Sequence, residues 1–157
     1  MAFSGKGIVR NYGDTQTTSE NTMPSYYNQT LVGNTDVYWD PNSHRMPNVV
    51  SIALGTNDYS TEPHPSDDDF INAYLDFITQ IKDDYPRAKI LCICEPNPQG
   101  NQEANIRTVA SMAGAEFLRI DDSIYSYGVG CDGHPNAKAQ QAISKYVIPK
   151  LQEMLQR

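Results

Sequence analysis

Two short stretches carry residue types able to do acyl chemistry. The first is Gly55-Thr56-Asn57-Asp58, directly after the apolar run Val49 to Leu54. The Asn57 side-chain amide can donate an N–H to a developing oxyanion. The second is Gly130-Cys131-Asp132-Gly133-His134-Pro135-Asn136. His134 belongs to the side-chain class that titrates near neutrality, and it suits a general base. Asp132 can orient the imidazole and stabilise its charged form, or a backbone carbonyl can take that task. Each stretch also has a plain structural reading. Asn57 and Asp58 can simply bond the backbone of a turn, and His134 before Pro135 can cap the last helix.

These residues need a scaffold that brings them together. The run Val49–Leu54 is too short for a helix and rich in β-branched residues. It reads as a strand buried on both faces, as in a parallel sheet. A polar turn at the carboxyl end of such a strand is where open α/β sheets place ligands. Ser66 with Asp69 forms a helix-capping box, and Asp67, Asp68 and Asp69 suit the positive end of that helix. Phe70, Ile71, Tyr74, Leu75, Phe77, Ile78 and Ile81 then recur with helical period, and Tyr85-Pro86 ends the pattern. Lys89–Cys94 is the next strand, closed by Glu95-Pro96-Asn97-Pro98. A helix follows over 100–113, with Ile106, Val109, Ala110 and Ala113 inward and Gly114 at its left-handed cap. A third strand spans 115–120. The last helix starts near Asn136, with Ala142, Ile143, Tyr146, Val147, Leu151 and Leu155 toward the core and Pro149 inside it. Strands alternating with helices give an α/β fold with parallel strands joined by right-handed crossovers.

Gly-Thr-Asn-Asp followed much later by Asp-x-His-Pro resembles the third and fifth sequence blocks of the SGNH/GDSL hydrolases. The resemblance is nearest to the carbohydrate esterase family 2 branch, the acetylesterases and acetylxylan esterases. Ser4-Gly5-Lys6-Gly7 with Arg10-Asn11-Tyr12-Gly13, Tyr38-Trp39-Asp40 and Tyr85-Pro86-x-Ala88 support it over most of the chain. It implies a three-layer sandwich around a parallel, flavodoxin-like sheet, and hydrolysis of acetyl esters of carbohydrates or of small esters. It assigns His134 as base, Asp132 as its orienting acid, and Asn57 with the Gly7 amide as oxyanion hole. Trp39, Asp58 and Tyr59 are expected to face substrate; a lone tryptophan is also often core or loop packing. The family's first block, a strand ending in Gly-Asp-Ser with the nucleophilic serine, is expected upstream of Ser4, so the chain reads as N-terminally truncated. Ile120-Asp121-Asp122-Ser123 offers Ser123 as a fallback nucleophile, on a strand expected at the far edge of the sheet. The competing reading is a remnant that binds sugar or ester without turnover; a flavodoxin-like module with an accidental motif is a third.

Bulk properties narrow the partners. The 157 residues make one domain, and 39% hydrophobic with 20% charged residues is ordinary for a globular protein. A net charge of −7 disfavours nucleic acid, and no apolar run approaches a membrane span. Met1-Ala2-Phe3-Ser4-Gly5 lacks the basic start and long apolar segment of a secretory leader, whereas the resembled esterases are typically exported. Cys92 and Cys94 share one face of a strand, and Cys131 is distant; with no histidine close by, this is a poor zinc pattern, and no metal or cofactor is expected. Whether Cys94 meets Cys131 is open. Residues 14–30 and the proline-bounded 36–48 read as loops, and His64, between Pro63 and Pro65, as exposed and idle. Without its first strand the fold leaves Val49–Leu54 as an exposed edge. A homodimer, or association with an N-terminal fragment, is expected to cover it.

Overall fold

Three parallel strands form the sheet that sets the direction of the chain. In the computed structural model, which describes residues 2–30, 37–43 and 45–156, β1 is Val49–Ile52, β2 is Lys89–Cys94 and β3 is Glu116–Arg119. The order is β1-β2-β3. Val49 stands opposite Lys89 and Ile52 opposite Cys92; Leu91 stands opposite Glu116 and Cys94 opposite Arg119. Residues 36 and 44 of the loop read over 36–48 lie outside the described residues.

The helices are α1 (Met23–Tyr26), α2 (Thr56–Tyr59), α3 (Asp67–Asp84), α4 (Gln102–Ala113) and α5 (Ala137–Gln156). Ser66 caps α3 as the box predicts: its Oγ accepts from the Asp69 N–H at 3.1 Å and donates to Asp69 Oδ2 at 2.7 Å. Gly114 ends α4 with φ of 61°, the left-handed conformation expected of it.

Because strand side chains alternate, β2 feeds two cores. Ile90, Cys92 and Cys94 pack with Phe70, Tyr74, Phe77, Ile78 and Ile81 of α3 and Ile106, Val109 and Ala110 of α4. Leu91 and Ile93 point the other way, to Ile120, Ile124 and Ala139, Ala142 and Met154. The result is helices, sheet, helix: the three-layer α/β sandwich expected. Both β2 thiols sit in the first core, where burial pushes each up to about 11, and Cys131 is exposed; all three are free, so Cys94 and Cys131 do not pair.

Two expectations about packing need correction. β1 is not buried on both faces: Ile52 is, but Ser51 and Ala53 are exposed, because the α5 core centres on β2 and the residues after β3. Among the described residues nothing pairs with the outer edge of β1. Tyr146 and Leu155 of α5, expected inward, are 37% and 56% exposed. Ala139 and Met154 take the inward positions instead, with Ile143, Val147 and Leu151 partly buried beside them.

Candidate active site

The residues able to do chemistry follow the carboxyl ends of the strands along the chain. β1 runs into Gly55, whose φ of 119° suits only glycine, and the chain then turns through α2, which carries Asn57. The Asn57 Nδ2 donates to the Lys6 carbonyl at 2.9 Å. One of its two amide protons is thereby committed and the other remains available. The next residue along, Gly7, is buried, and among the described residues its N–H meets no acceptor. A buried backbone N–H without a partner is rare and calls for a reason. Its carbonyl is used, accepting from Met23 N–H at 2.8 Å.

Asp58 fixes this arrangement. It is fully buried, and its carboxylate accepts from the Ile8 N–H (3.0 Å, Oδ2), the Val9 N–H (2.8 Å, Oδ1) and the Arg10 N–H (2.9 Å, Oδ1). Burial pushes the carboxyl above the usual carboxylate range, and the backbone donors pull it back down. Gly7 lies so close that a Cβ there would stand 2.5 Å from Asp58 Oδ2 and 2.0 Å from the Arg10 carbonyl, so only glycine fits. Arg10, also fully buried, spends its guanidinium on main-chain oxygens of Asp14, Gln16, Asp58, Thr61 and Glu62 and on the Thr61 hydroxyl. Thus the 6–10 segment and the turn after β1, some 50 residues apart in sequence, are clasped together.

His134 follows a single 3-10 turn, Cys131–Gly133, in the segment after β3. It is exposed, and its Nδ1 lies 3.1 Å from the Cys131 carbonyl. A carbonyl can only accept, so Nδ1 carries the proton and Nε2 is left as the basic nitrogen. Asp132, expected to orient the ring, does not bond it: the residue adopts φ of 51° and is exposed. The backbone carbonyl of Cys131 takes the orienting position instead. By topology both Asn57 and His134 follow carboxyl ends of strands, those of β1 and β3.

Between them, Glu95 ends the central strand. Its Oε2 accepts from the Thr56 hydroxyl at 2.7 Å, and Thr56 in turn receives Gln102 Nε2 at 3.3 Å. Asp122 accepts from the Asn97 N–H at 2.6 Å and pairs with Arg119 at 2.5 Å. The Asn97 N–H bond, then the Arg119 guanidinium, holds the Asp122 carboxyl below its usual range.

No protein-family model matches the chain. It is 28% identical over 165 residues to an acetylxylan esterase / glucomannan deacetylase of Cellvibrio japonicus, covering 97% of this chain and 44% of that protein. It is 29% identical over 166 residues to the cellulase/esterase CelE of Acetivibrio thermocellus, covering 99% of this chain and 20% of that protein. Among solved structures, a family two carbohydrate esterase from Clostridium thermocellum in complex with cellohexaose superposes with a TM-score of 0.87 at 27% identity, over 97% of this chain and 48% of that one. The homologues and structural neighbours of this chain are carbohydrate esterases of family 2, an SGNH hydrolase family. The chain spans less than half the length of the curated relatives it matches.

Against that family's chemistry, four sequence expectations change. Asp58 and Tyr59, expected to face substrate, are buried at 0% and 2% exposure. Asp58 is the clasp described above. Tyr59 packs edge-on against Phe70 and receives Asn105 Nδ2 on its hydroxyl at 2.8 Å; burial pushes that hydroxyl up to about 12. Trp39 lies at the wrong end: its Nε1 donates to the Tyr85 hydroxyl at 3.0 Å, and Tyr85 ends α3 beside the amino ends of β1 and β2. Ser123 is not paired with His134. Its N–H bonds Asp121 Oδ1 at 2.9 Å, and it lines a cavity of about 300 Å³ with Ile124, Tyr127, Ala142, Lys145 and Tyr146. As a fallback nucleophile it therefore has the Asp121 carboxylate, not the His134 imidazole, beside it. His64 is also not idle: its ring packs on Tyr59 at 5.3 Å and against Gly100.

Arg10 and Glu95 stand in stretches singled out from the sequence, but local signals give neither a role at the site, because the contacts that define one reach Asp58 and Thr61 from Arg10 and Thr56 from Glu95.

Proposed function

We propose that this chain forms the acyl-oxygen half of a carbohydrate acetylesterase. The observation that carries the reading is the pair of donors at the end of β1. Asn57 donates to the Lys6 carbonyl and so ties the turn after β1 to the peptide unit that carries the partnerless Gly7 N–H. Two preset N–H donors are what the oxyanion of an acyl-transfer intermediate requires. The substrate is an acetylated carbohydrate, in keeping with relatives named acetylxylan esterase / glucomannan deacetylase and a neighbour bound to cellohexaose.

In this scheme a serine hydroxyl attacks the acetyl carbonyl, and His134 Nε2 takes its proton as the Oγ–C bond forms. The carbonyl oxygen becomes an oxyanion between Asn57 and Gly7. Collapse breaks the C–O bond to the sugar, whose oxygen leaves with the proton from His134. Water, deprotonated by the same nitrogen, then releases acetate and restores the serine. The serine belongs to a separate N-terminal fragment that pairs with the free edge of β1; a second copy of this chain would cover that edge without supplying the serine. Such a segment would also remove the exposed edge.

The test is hydrolysis of p-nitrophenyl acetate and acetate release from acetylated xylan by this chain paired with the fragment that supplies the serine. Asn57→Ala should cost about 10²–10³ in turnover, and His134→Ala should lose the base. Activity that survives both substitutions overturns the proposal. A second reading, sugar binding without turnover, is favoured by one observation: among the described residues no hydroxyl meets His134 Nε2. Tight oligosaccharide binding with no turnover, even beside a chain supplying the missing strand, would select it.

A further inference from the structure

Glu95 has a place and a chemistry that the oxyanion site does not use. It follows Cys94 at the carboxyl end of the central strand, between the Asn57 turn after β1 and the His134 segment after β3. Its side chain is half-buried. One carboxylate oxygen is tied to the Thr56 hydroxyl at 2.7 Å, and Thr56 is steadied by the buried Gln102. Among the described residues no donor meets the other oxygen. The neighbouring cation does not neutralise it. Arg119 donates to the Glu95 main-chain carbonyl at 3.2 Å and directs its charge to Glu103 at 3.1 Å and Asp122 at 2.5 Å.

A carboxylate fixed by one oxygen and free at the other is an acceptor preset in one orientation. We propose that Glu95 is a specificity-determining residue that accepts a hydrogen bond from a hydroxyl of the carbohydrate carrying the acetyl group. The proposal rests on the acyl-oxygen reading of Asn57 and Gly7. Sugar hydroxyls are neutral donors, and a chain of net charge −7 is ill suited to an anionic ligand at the same place. The rim beside Glu95 is stiff enough to define a subsite: Asn97 sits at φ of 58° with its N–H held by Asp122. Gln99 N–H also meets Gln102 Oε1 at 3.3 Å. Hydrogen bonds to an ionised acceptor are the strong kind, so one such contact discriminates a glycoside from a bare ester.

The experiment titrates the 157-residue chain with two probes. Cellohexaose is followed by calorimetry, and acetate by the NMR shift of the Asn57 side-chain amide. Glu95→Ala is expected to raise the cellohexaose Kd by roughly tenfold, and Glu95→Gln, which keeps an acceptor for Thr56, by a smaller factor. Neither should weaken acetate, which touches only the oxyanion donors. Unchanged cellohexaose affinity in both variants overturns the role of Glu95, as does a wild type that binds acetate but not cellohexaose. Loss of the acetate response in Glu95→Ala overturns it too, since the carboxylate would then merely brace the Asn57 turn. A wild type with no acetate response at Asn57 defeats the acyl-oxygen reading itself.

Discussion

Replacing Asp58 by asparagine tests the clasp that holds the site together. The amide oxygen can take the place of Oδ1 and keep the bonds from Val9 and Arg10, at 2.8 and 2.9 Å. The amide nitrogen must then face the Ile8 N–H, 3.0 Å from the present Oδ2, donor against donor. An orphaned buried donor costs about 1–3 kcal/mol, and two charge-assisted bonds become neutral ones, a further loss of about 1 kcal/mol. The variant no longer buries a charge, which offsets part of this. The net expectation is a loss of about 2–3 kcal/mol, large against a domain stability of about 5–15 kcal/mol. Urea unfolding at neutral pH, followed by far-UV circular dichroism, measures it. Hydrogen exchange adds a residue-level signature: the Ile8 amide should lose its protection while Val9 and Arg10 keep most of theirs. A variant within about 0.5 kcal/mol of wild type, the size of an ordinary surface change, with Ile8 still protected, would refute the reasoning.

Three further outcomes follow from the same contacts. Gly7→Ala forces a methyl to 2.5 Å from Asp58 Oδ2 and 2.0 Å from the Arg10 carbonyl. It should cost about 1–3 kcal/mol by overpacking and abolish any acetate response at Asn57; a stable, responsive variant would contradict the close approach. The Asp122 carboxyl is held below its ordinary 3.8 by the Asn97 N–H and Arg119, so its contribution is present above the unfolded value and lost as pH falls through the lower, folded one. The Asn97 amide shift should follow that titration with a midpoint below 3.8, and a midpoint above it would reverse the sign. In the chain paired with the serine-bearing fragment, Ser123→Ala should leave hydrolysis of p-nitrophenyl acetate unchanged, because Ser123 bonds Asp121 rather than His134; lost activity would restore Ser123 as nucleophile.

Local chemistry in the sequence reaches the sheet and its helices but not the clasp. The capping box at Ser66, the left-handed Gly114 and the alternation through Ile90–Cys94 each depend on neighbours within a turn or a strand, so they are legible from residue order. β1 was harder. Its apolar run looks doubly buried, yet burial depends on where α5 crosses, and that crossing leaves Ser51 and Ala53 in solvent. Asp58 shows the same limit at the site. An aspartate in a turn reads equally as a ligand contact or a backbone acceptor, and the choice is made by Ile8, Val9 and Arg10 arriving from far away in sequence. Trp39 could not be placed because its partner, Tyr85, is 46 residues distant. The family resemblance implies what periodicity could not, a pairing of the Asn57 turn with the His134 loop, as we propose.

That pairing is most directly measured by titrating acetate, the product of deacetylation, into isotopically labelled protein. The account predicts that the Asn57 side-chain amide, the Gly7 backbone N–H and the His134 ring respond together with one affinity. Independent affinities, or a response confined to Asn57 and Gly7 with His134 unmoved, would contradict a single acyl site at this edge of the sheet.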